Sequence, residues 1–215
     1  MSEAAVPSRR RELTRQRLLD AAQQVFAEVG LDAASVEEVC ERAGFTRGAF
    51  YSNFESKEEL FLALVDRVST ERLDSARQHL ASLELSGDFV LTSGQGAVTR
   101  LVQQVLDASG EDRLGVLLTC EIRVHALRQP ELAASYLLLE ESMCDSVAQL
   151  IDDVVRTQKM ELSLPLKDVA RTILGAWESE AIRATMLGLS GEDLRRVSGE
   201  RIAQLAELFI VPPKR

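Results

Sequence analysis

The stretch SVEEVCERAGFTRGAFYSNFESKEEL, residues 35–60, holds two short apolar-patterned runs separated by a glycine and bounded by capping residues. Ser35 with Glu38 has the spacing of a capping box, in which the hydroxyl accepts from a helical N–H and the carboxylate reaches back. Val36, Val39, Cys40 and Ala43 then mark the buried face of a short helix that stops at Gly44. Gly44 tolerates the positive φ that a tight inter-helix turn requires. Thr46 can cap a second short helix, read as residues 47–54. On it Phe50 and Phe54 lie four apart and point inward, while Arg47, Tyr51 and Ser52 face out. Ser56 with Glu59 repeats the capping-box spacing and opens a longer helix bearing Leu60, Leu64 and Val68. Two short helices around a glycine turn are the geometry that presents the second helix to the major groove of DNA.

Outward from this segment the pattern stays helical. Upstream, Leu18, Ala22, Val25, Phe26 and Val29 define one face of a helix over about 14–29, with Gly30 as its left-handed stop. Downstream the fourth helix is expected to reach about residue 83, and Gly87, Gly94 and Gly96 interrupt the pattern. Helices follow at about 96–108 and 112–127. One opened by Pro130 keeps three-or-four spacing from Leu132 through Tyr136, Leu139, Met143, Val147 and Leu150 to Val154, and reads as the longest in the chain. Two more are expected at about 166–187 and 191–210, the second with Ser190 and Asp193 placed for a cap and Pro212 and Pro213 ending it. No repeat and no alternating strand pattern occurs. The expected fold is all-α.

Composition narrows the function classes. The 215 residues are 46% hydrophobic and 27% charged, an ordinary globular balance, and no apolar run approaches the roughly 20 residues that a membrane span needs. Polar residues follow Arg9, Arg10 and Arg11 where a signal peptide would be apolar, so a cytoplasmic location is expected. A net charge of −9 disfavours indiscriminate binding to polyanions, so any DNA contact must come from a local basic patch. Arg9, Arg10, Arg11, Arg15 and Arg17, opposed only by Glu12, supply one. Cys40, Cys120 and Cys144 lack disulfide or metal-ligand spacing and read as small core residues. A phosphate-cradling glycine loop, a paired-histidine metal motif and a nucleophile elbow are all missing, and His79 and His125 are the only histidines. Neither an enzyme nor a bound cofactor or metal is expected.

The whole string from Ser35 to Leu60 closely resembles the DNA-binding signature of TetR-family transcriptional regulators. Ala43-Gly44, Phe50-Tyr51, Phe54 and Ser56-Lys57-Glu58-Glu59-Leu60 carry the resemblance, preceded by a helix with Phe26 and Gly30. It covers about residues 14–65; beyond them only the number and length of helices agree. The resemblance implies a DNA-binding helix-turn-helix domain of three helices with a basic arm, residues 1–56, and a larger helical ligand-sensing and dimerisation domain, residues 57–215. Carried over position by position, it assigns Thr46, Tyr51 and Lys57 to phosphates and Arg47, Gly48, Ala49, Ser52 and Asn53 to base edges, with Thr14, Arg15 and Ser35 bracing the DNA backbone on either side. The chemistry agrees for Arg47, whose guanidinium can bond guanine O6 and N7, and for Tyr51, whose hydroxyl reaches phosphate without reading sequence. Arg9 to Arg11 are open to two readings, a DNA-contacting arm or an idle tail.

The resemblance further implies a homodimer on double-stranded operator DNA, through a four-helix bundle formed by the last two helices of each subunit. Ile173, Leu174, Trp177 and Ala181, with Leu194, Val197, Ile202, Leu205 and Phe209, give apolar stripes that fit either such an interface or a monomer core. Small Ala170, Ala181 and Ala184 permit close helix approach. It implies as well an apolar small-molecule effector held among the middle helices, where Glu121, Arg123, His125 and Glu178 are the polar residues within apolar stretches. Each of the four reads first as a surface residue or an intramolecular partner, and none is assigned to the effector. The resulting expectation is a repressor released by a small molecule, and the alternative is a constitutive helix-turn-helix protein without a ligand.

Overall fold

A computed structural model of the chain describes residues 9–86, 102–104, 107 and 112–211. The described helices are α1 Arg9–Ala33, α2 Val36–Ala43, α3 Arg47–Tyr51, α4 Lys57–Ser86, α5 Arg113–Arg128, α6 Pro130–Thr157, α7 Leu166–Met186 and α8 Gly191–Phe209. The fold is all-α apart from two short strands, β1 Glu161–Leu162 and β2 Ile210–Val211, paired antiparallel with Glu161 opposite Val211 and Leu162 opposite Ile210. Strands of two residues are too short to alternate, which is why periodicity does not detect them. The glycines between 87 and 96 lie outside the described residues, as does most of the helix expected at 96–108, of which 102–104 and 107 have helical backbone. The longest described helix is α4, with 30 residues, rather than α6 with 28.

The chain separates into two compact units. One comprises the described residues up to Arg67 together with Leu118–Tyr136, and the other those of Val68–Leu117 and Leu137–Arg215. This division does not fall between residues 56 and 57. The first turns of α4 belong with the helix-turn-helix because Leu60, Phe61 and Leu64 are fully buried there, Phe61 meeting Phe26 edge-on at 4.9 Å. Each such side chain contributes about 1.5–3 kcal/mol on burial. Leu118, Ile122, Ala126, Leu132 and Tyr136 are buried as well and bring most of α5 and the start of α6 into the same unit.

Within that first unit α1 is longer than its apolar stripe suggests, and Gly30 kinks it rather than ending it. Gly30 has φ 77 and ψ 172, a conformation essentially reserved for glycine. The chain then makes one more turn to Ala33, and the backbone groups exposed by the kink find partners on distant helices. Leu31 N–H donates to Glu121 Oε2 at 2.7 Å, and Lys57 Nζ donates to Leu31 O and Ala34 O at 2.9 Å each. His125 Nε2 lies 3.0 Å from Asp32 Oδ1. Two further pairs draw helices onto α1: Arg67 of α4 holds Asp20 at 2.6 Å, and Arg42 of α2 holds Glu28 bidentately at 2.6 and 2.8 Å.

In the second unit α7 and α8 pack together, and both bury small residues. Ala170, Ala181 and Ala184 on α7 and Ser198, Gly199, Ala203 and Ala206 on α8 are buried. Ile202 belongs to that core too, so the proposed stripe divides: Ile202 is internal, while Val197, Leu205 and Phe209 are half-buried and Leu208 is 66% exposed. Ser190 caps α8 by position only, without a side-chain hydrogen bond. Smaller clusters form around Cys144, Ala148 and Ala170, and around Val155, Ala206 and Ile210.

The two kinked glycines differ in what a side chain would meet. At Gly44, with φ 71, an added Cβ has nothing within 4 Å, whereas at Gly30 it would stand 3.2 Å from Glu121 Oε1. Gly44→Ala should therefore cost only the left-handed backbone, about 1 kcal/mol. Gly30→Ala should cost about 2–3 kcal/mol, because the backbone is less accessible and the Glu121 bond must move. Urea unfolding of both variants checks the order, and a Gly30→Ala protein as stable as the wild type would contradict the account of the kink.

Candidate nucleic-acid interface

Three caps place α2 and α3. Glu38 N–H donates to Ser35 Oγ at 3.2 Å, and Ser35 N–H donates back to Glu38 Oε2 at 2.8 Å, completing the capping box read from the sequence. At the far end of α2, Gly44 N–H donates to Glu41 O at 3.1 Å and Phe45 N–H to Cys40 O at 2.9 Å, a Schellman arrangement. Thr46 Oγ1 accepts from Ala49 N–H at 3.3 Å and starts α3. The second expected box, at Ser56, is half formed: Glu59 N–H donates to Ser56 Oγ, but the Glu59 carboxylate reaches back to Glu55 N–H instead.

Helix α3 ends at Tyr51, three residues before the expected Phe54. Competition for one carbonyl explains the early stop. Ser52 Oγ and Asn53 Nδ2 both donate to Ala49 O, at 2.8 Å each, offering the backbone an alternative to further helix. The turn curls inward through Asn53 N–H and Phe54 N–H, which both donate to Phe50 O. Phe50 and Phe54 are buried beneath it, 5.8 Å apart, and the Arg15 guanidinium stands 4.4 Å from the Phe54 ring centre.

This geometry sorts the expected site residues. Arg47, Gly48, Tyr51 and Ser52 are exposed on the outer side of α3, Thr46 is exposed at its start, and Ala49 is half-buried. Asn53 requires correction. It is buried, with Nδ2 bonded to Ala49 O and Ser52 Oγ, so it supports the end of α3 and is not turned toward base edges. Lys57 is also more occupied than its helix-terminal position suggests, since two of its three N–H groups serve the Leu31 and Ala34 carbonyls. Thr14 bonds back to Arg10 O in its own helix, Arg15 donates to Asn53 O at 3.3 Å, and Ser35 is engaged in its cap.

Sequence spacing also missed Glu37. Its Oε1 lies 2.6 Å from Arg47 Nη1, and the same guanidinium stands 5.8 Å from the Tyr51 ring centre. The Tyr51 side chain first, and the Glu37 charge second, raise the Arg47 pKa above its usual value. Burial, with Glu37 nearby, pushes the Cys40 thiol up, which suits a buried, unreactive side chain.

Arg9, Arg10 and Arg11 form the exposed first turn of α1. Cations at a helix N-terminus oppose the helix dipole, a cost that a nearby phosphate would relieve. No described helix is long and apolar enough to cross a membrane.

Comparison with known proteins agrees with this arrangement. Residues 18–64, from the α1 stripe to the first turns of α4, match the family model for bacterial regulatory proteins of the tetR family. The HTH-type transcriptional regulator UidR of Escherichia coli K12 is 26% identical over 183 residues, covering 85% of each chain. The HTH-type transcriptional activator FasR of Mycolicibacterium smegmatis is 30% identical over 141 residues, covering 66% of this chain and 60% of its own. Among solved structures, the regulator FadR from Bacillus subtilis in complex with stearoyl-CoA superimposes with a TM-score of 0.64 at 16% identity, over 89% of this chain and 97% of that one, a likeness of fold. The caps, the glycine turn and the exposed residues of α3 all fall inside the matched segment, and the likeness to UidR extends across most of the chain: residues 18–64 carry a tetR-family DNA-binding segment, and the chain is similar along most of its length to HTH-type transcriptional regulators.

Proposed function

We propose that the chain represses transcription as a homodimer bound to an inverted-repeat operator and is released by an apolar small molecule. The observation that carries this reading is the outer side of α3, where Arg47, Tyr51, Ser52 and Gly48 stand exposed on a helix held by caps at its start and aromatic anchors beneath. Arg47 reads a base, Tyr51 and Thr46 hold phosphates, and the exposed arginines at the start of α1 add sequence-independent attraction. Lys57 contributes through its remaining N–H group.

A reader helix of five residues touches too few bases to select a genomic site alone, so two copies on a symmetric site are required. The exposed Leu208 beside half-buried Leu205 on α8, with exposed Met186 and Leu187 at the end of α7, supports an interface through these helices. Release by an effector is supported by α5. Its first turn belongs to the larger unit, while Glu121 and His125 farther along grip residues 31 and 32 just before α2. An effector that shifts α5 therefore pulls on the corner from which the reading helices are hung. FadR, solved with stearoyl-CoA, makes a long acyl chain the apolar group to try first, offered as its CoA ester. FasR is described as an activator, so the sign of regulation is tested separately, by transcription from the selected operator.

Selection of bound duplexes from a random pool should yield inverted repeats whose half-site centres lie about 34 Å apart or a multiple of it; asymmetric single sites would exclude the dimer reading. Arg47→Ala should relax preference at one base position per half-site by about 1–3 kcal/mol, whereas Tyr51→Phe should weaken all sequences alike.

Leu208→Glu changes a side chain exposed in the subunit, so it should leave a folded protein that sediments as a monomer. Its operator affinity should fall roughly 100-fold through lost avidity. A Leu208→Glu dimer with unchanged binding would move the interface elsewhere.

For the effector, titration with stearoyl-CoA should lower operator affinity by about 5- to 150-fold, and operator should weaken effector binding by the same factor. Glu121→Gln should shrink that factor. Equal release from the wild type and Glu121→Gln would remove α5 from the pathway.

A further inference from the structure

Glu37 lies in the first turn of α2 and Arg47 opens α3, so their ion pair closes across the glycine turn. Both side chains are more than half exposed, 57% and 61%, and a pair so open to water adds little to stability. Capping does not explain Glu37 either, since Ser35 and Glu38 already satisfy the start of α2. What the pair does is geometric. A free arginine side chain samples many rotamers and loses that freedom on binding. Arg47 is held beforehand on two sides, by the carboxylate at Nη1 and by the Tyr51 ring at 5.8 Å.

The guanidinium has five N–H donors in a planar fork. Engagement of Nη1 leaves a second edge able to meet guanine O6 and N7 bidentately. The carboxylate also acts on the alternative outcome. Placed on the surface that meets DNA, it repels phosphate and competes with it for the same guanidinium, so Arg47 gains less from turning to the DNA backbone.

We propose that Glu37 is a specificity-determining residue of the DNA interface, which holds Arg47 over Tyr51 for a base edge and penalises its diversion to phosphate. The proposal rests on the reading of Arg47 as the base reader given above. Glu37 acts as a positioning residue through Arg47, and its removal trades selectivity for general affinity.

The experiment uses the full chain as wild type, Glu37→Gln, Arg47→Ala and the double variant, with folding checked by circular dichroism. Each undergoes duplex selection from a random pool and salt titration on a random duplex. Glu37→Gln should lose about five-fold or more of the base preference assigned to Arg47, bind random duplex more tightly, and steepen the salt dependence by about one phosphate per subunit. In the Arg47→Ala background the same substitution should leave base preferences unchanged. If Arg47→Ala loses the preference and Glu37→Gln keeps it, Glu37 has no such role while the reading of Arg47 stands. If Arg47→Ala keeps its preference, both ideas fall. A further preference lost only in the double variant would mean that Glu37 reads a base itself, which also overturns the proposal.

Discussion

The structure of the reading unit depends on how the backbone between Gly30 and Ala34 is satisfied. A kink that leaves the helix exposes N–H and C=O groups that the helix would otherwise pair, and burying them unpaired costs about 1–3 kcal/mol each. Here the partners come from two other helices: Glu121 on α5 accepts from the Leu31 N–H, and Lys57 on α4 donates to the Leu31 and Ala34 carbonyls. Three helices are thereby referred to one short corner, and α2 begins two residues after Ala34. Ordinary packing of Leu31, nearly fully buried beneath, keeps the corner from simply opening.

Local chemistry was readable in advance because its partners lie three to five residues apart. The Ser35 and Glu38 box, the left-handed Gly44, the Thr46 cap and the inward pair Phe50 and Phe54 all follow from spacing, and all are present. Misreadings began wherever a distant partner decided the outcome. Lys57 looked like a free cation at a helix start until carbonyls 26 and 23 residues away claimed it. Asn53 looked like a surface amide because the expected helix carried it outward; the actual helix ends sooner, at a carbonyl shared by Ser52 and Asn53. Glu121 and His125 stand out in the sequence as polar residues in an apolar run, yet only the fold shows that they face residues 31 and 32.

The same distinction applies to the helical body. Apolar stripes on α7 and α8 are visible in the sequence, but periodicity cannot divide a stripe between the inside of a subunit and its outside. Ile202 and Leu205 are three apart on one helix; the first is buried and the second is half open. Small buried residues accompany the division: Ala181 and Ala184 on α7 and Ala203 and Ala206 on α8 are buried, as the internal Ile202 is, a composition that permits close helix approach.

Charge placement connects these levels. An acidic chain cannot rely on bulk attraction to DNA, so its affinity has to come from cations that are concentrated and held. The arginines of the reading unit divide that work by partner. Arg42 and Arg67 are committed to Glu28 and Asp20 and assemble the helices, while Arg15 lies over Phe54 and supports the end of α3. Arg9, Arg10 and Arg17 remain on the exposed surface of α1. Arg47 belongs to neither group, being exposed yet already paired. A cation meant only for phosphate gains nothing from a carboxylate 2.6 Å away, and a cation meant only for structure has no need of an exposed position on the outer side of α3. Both observations are reconciled if the pair exists to aim the guanidinium, so that a five-residue helix presents one well-directed donor in place of several loose ones.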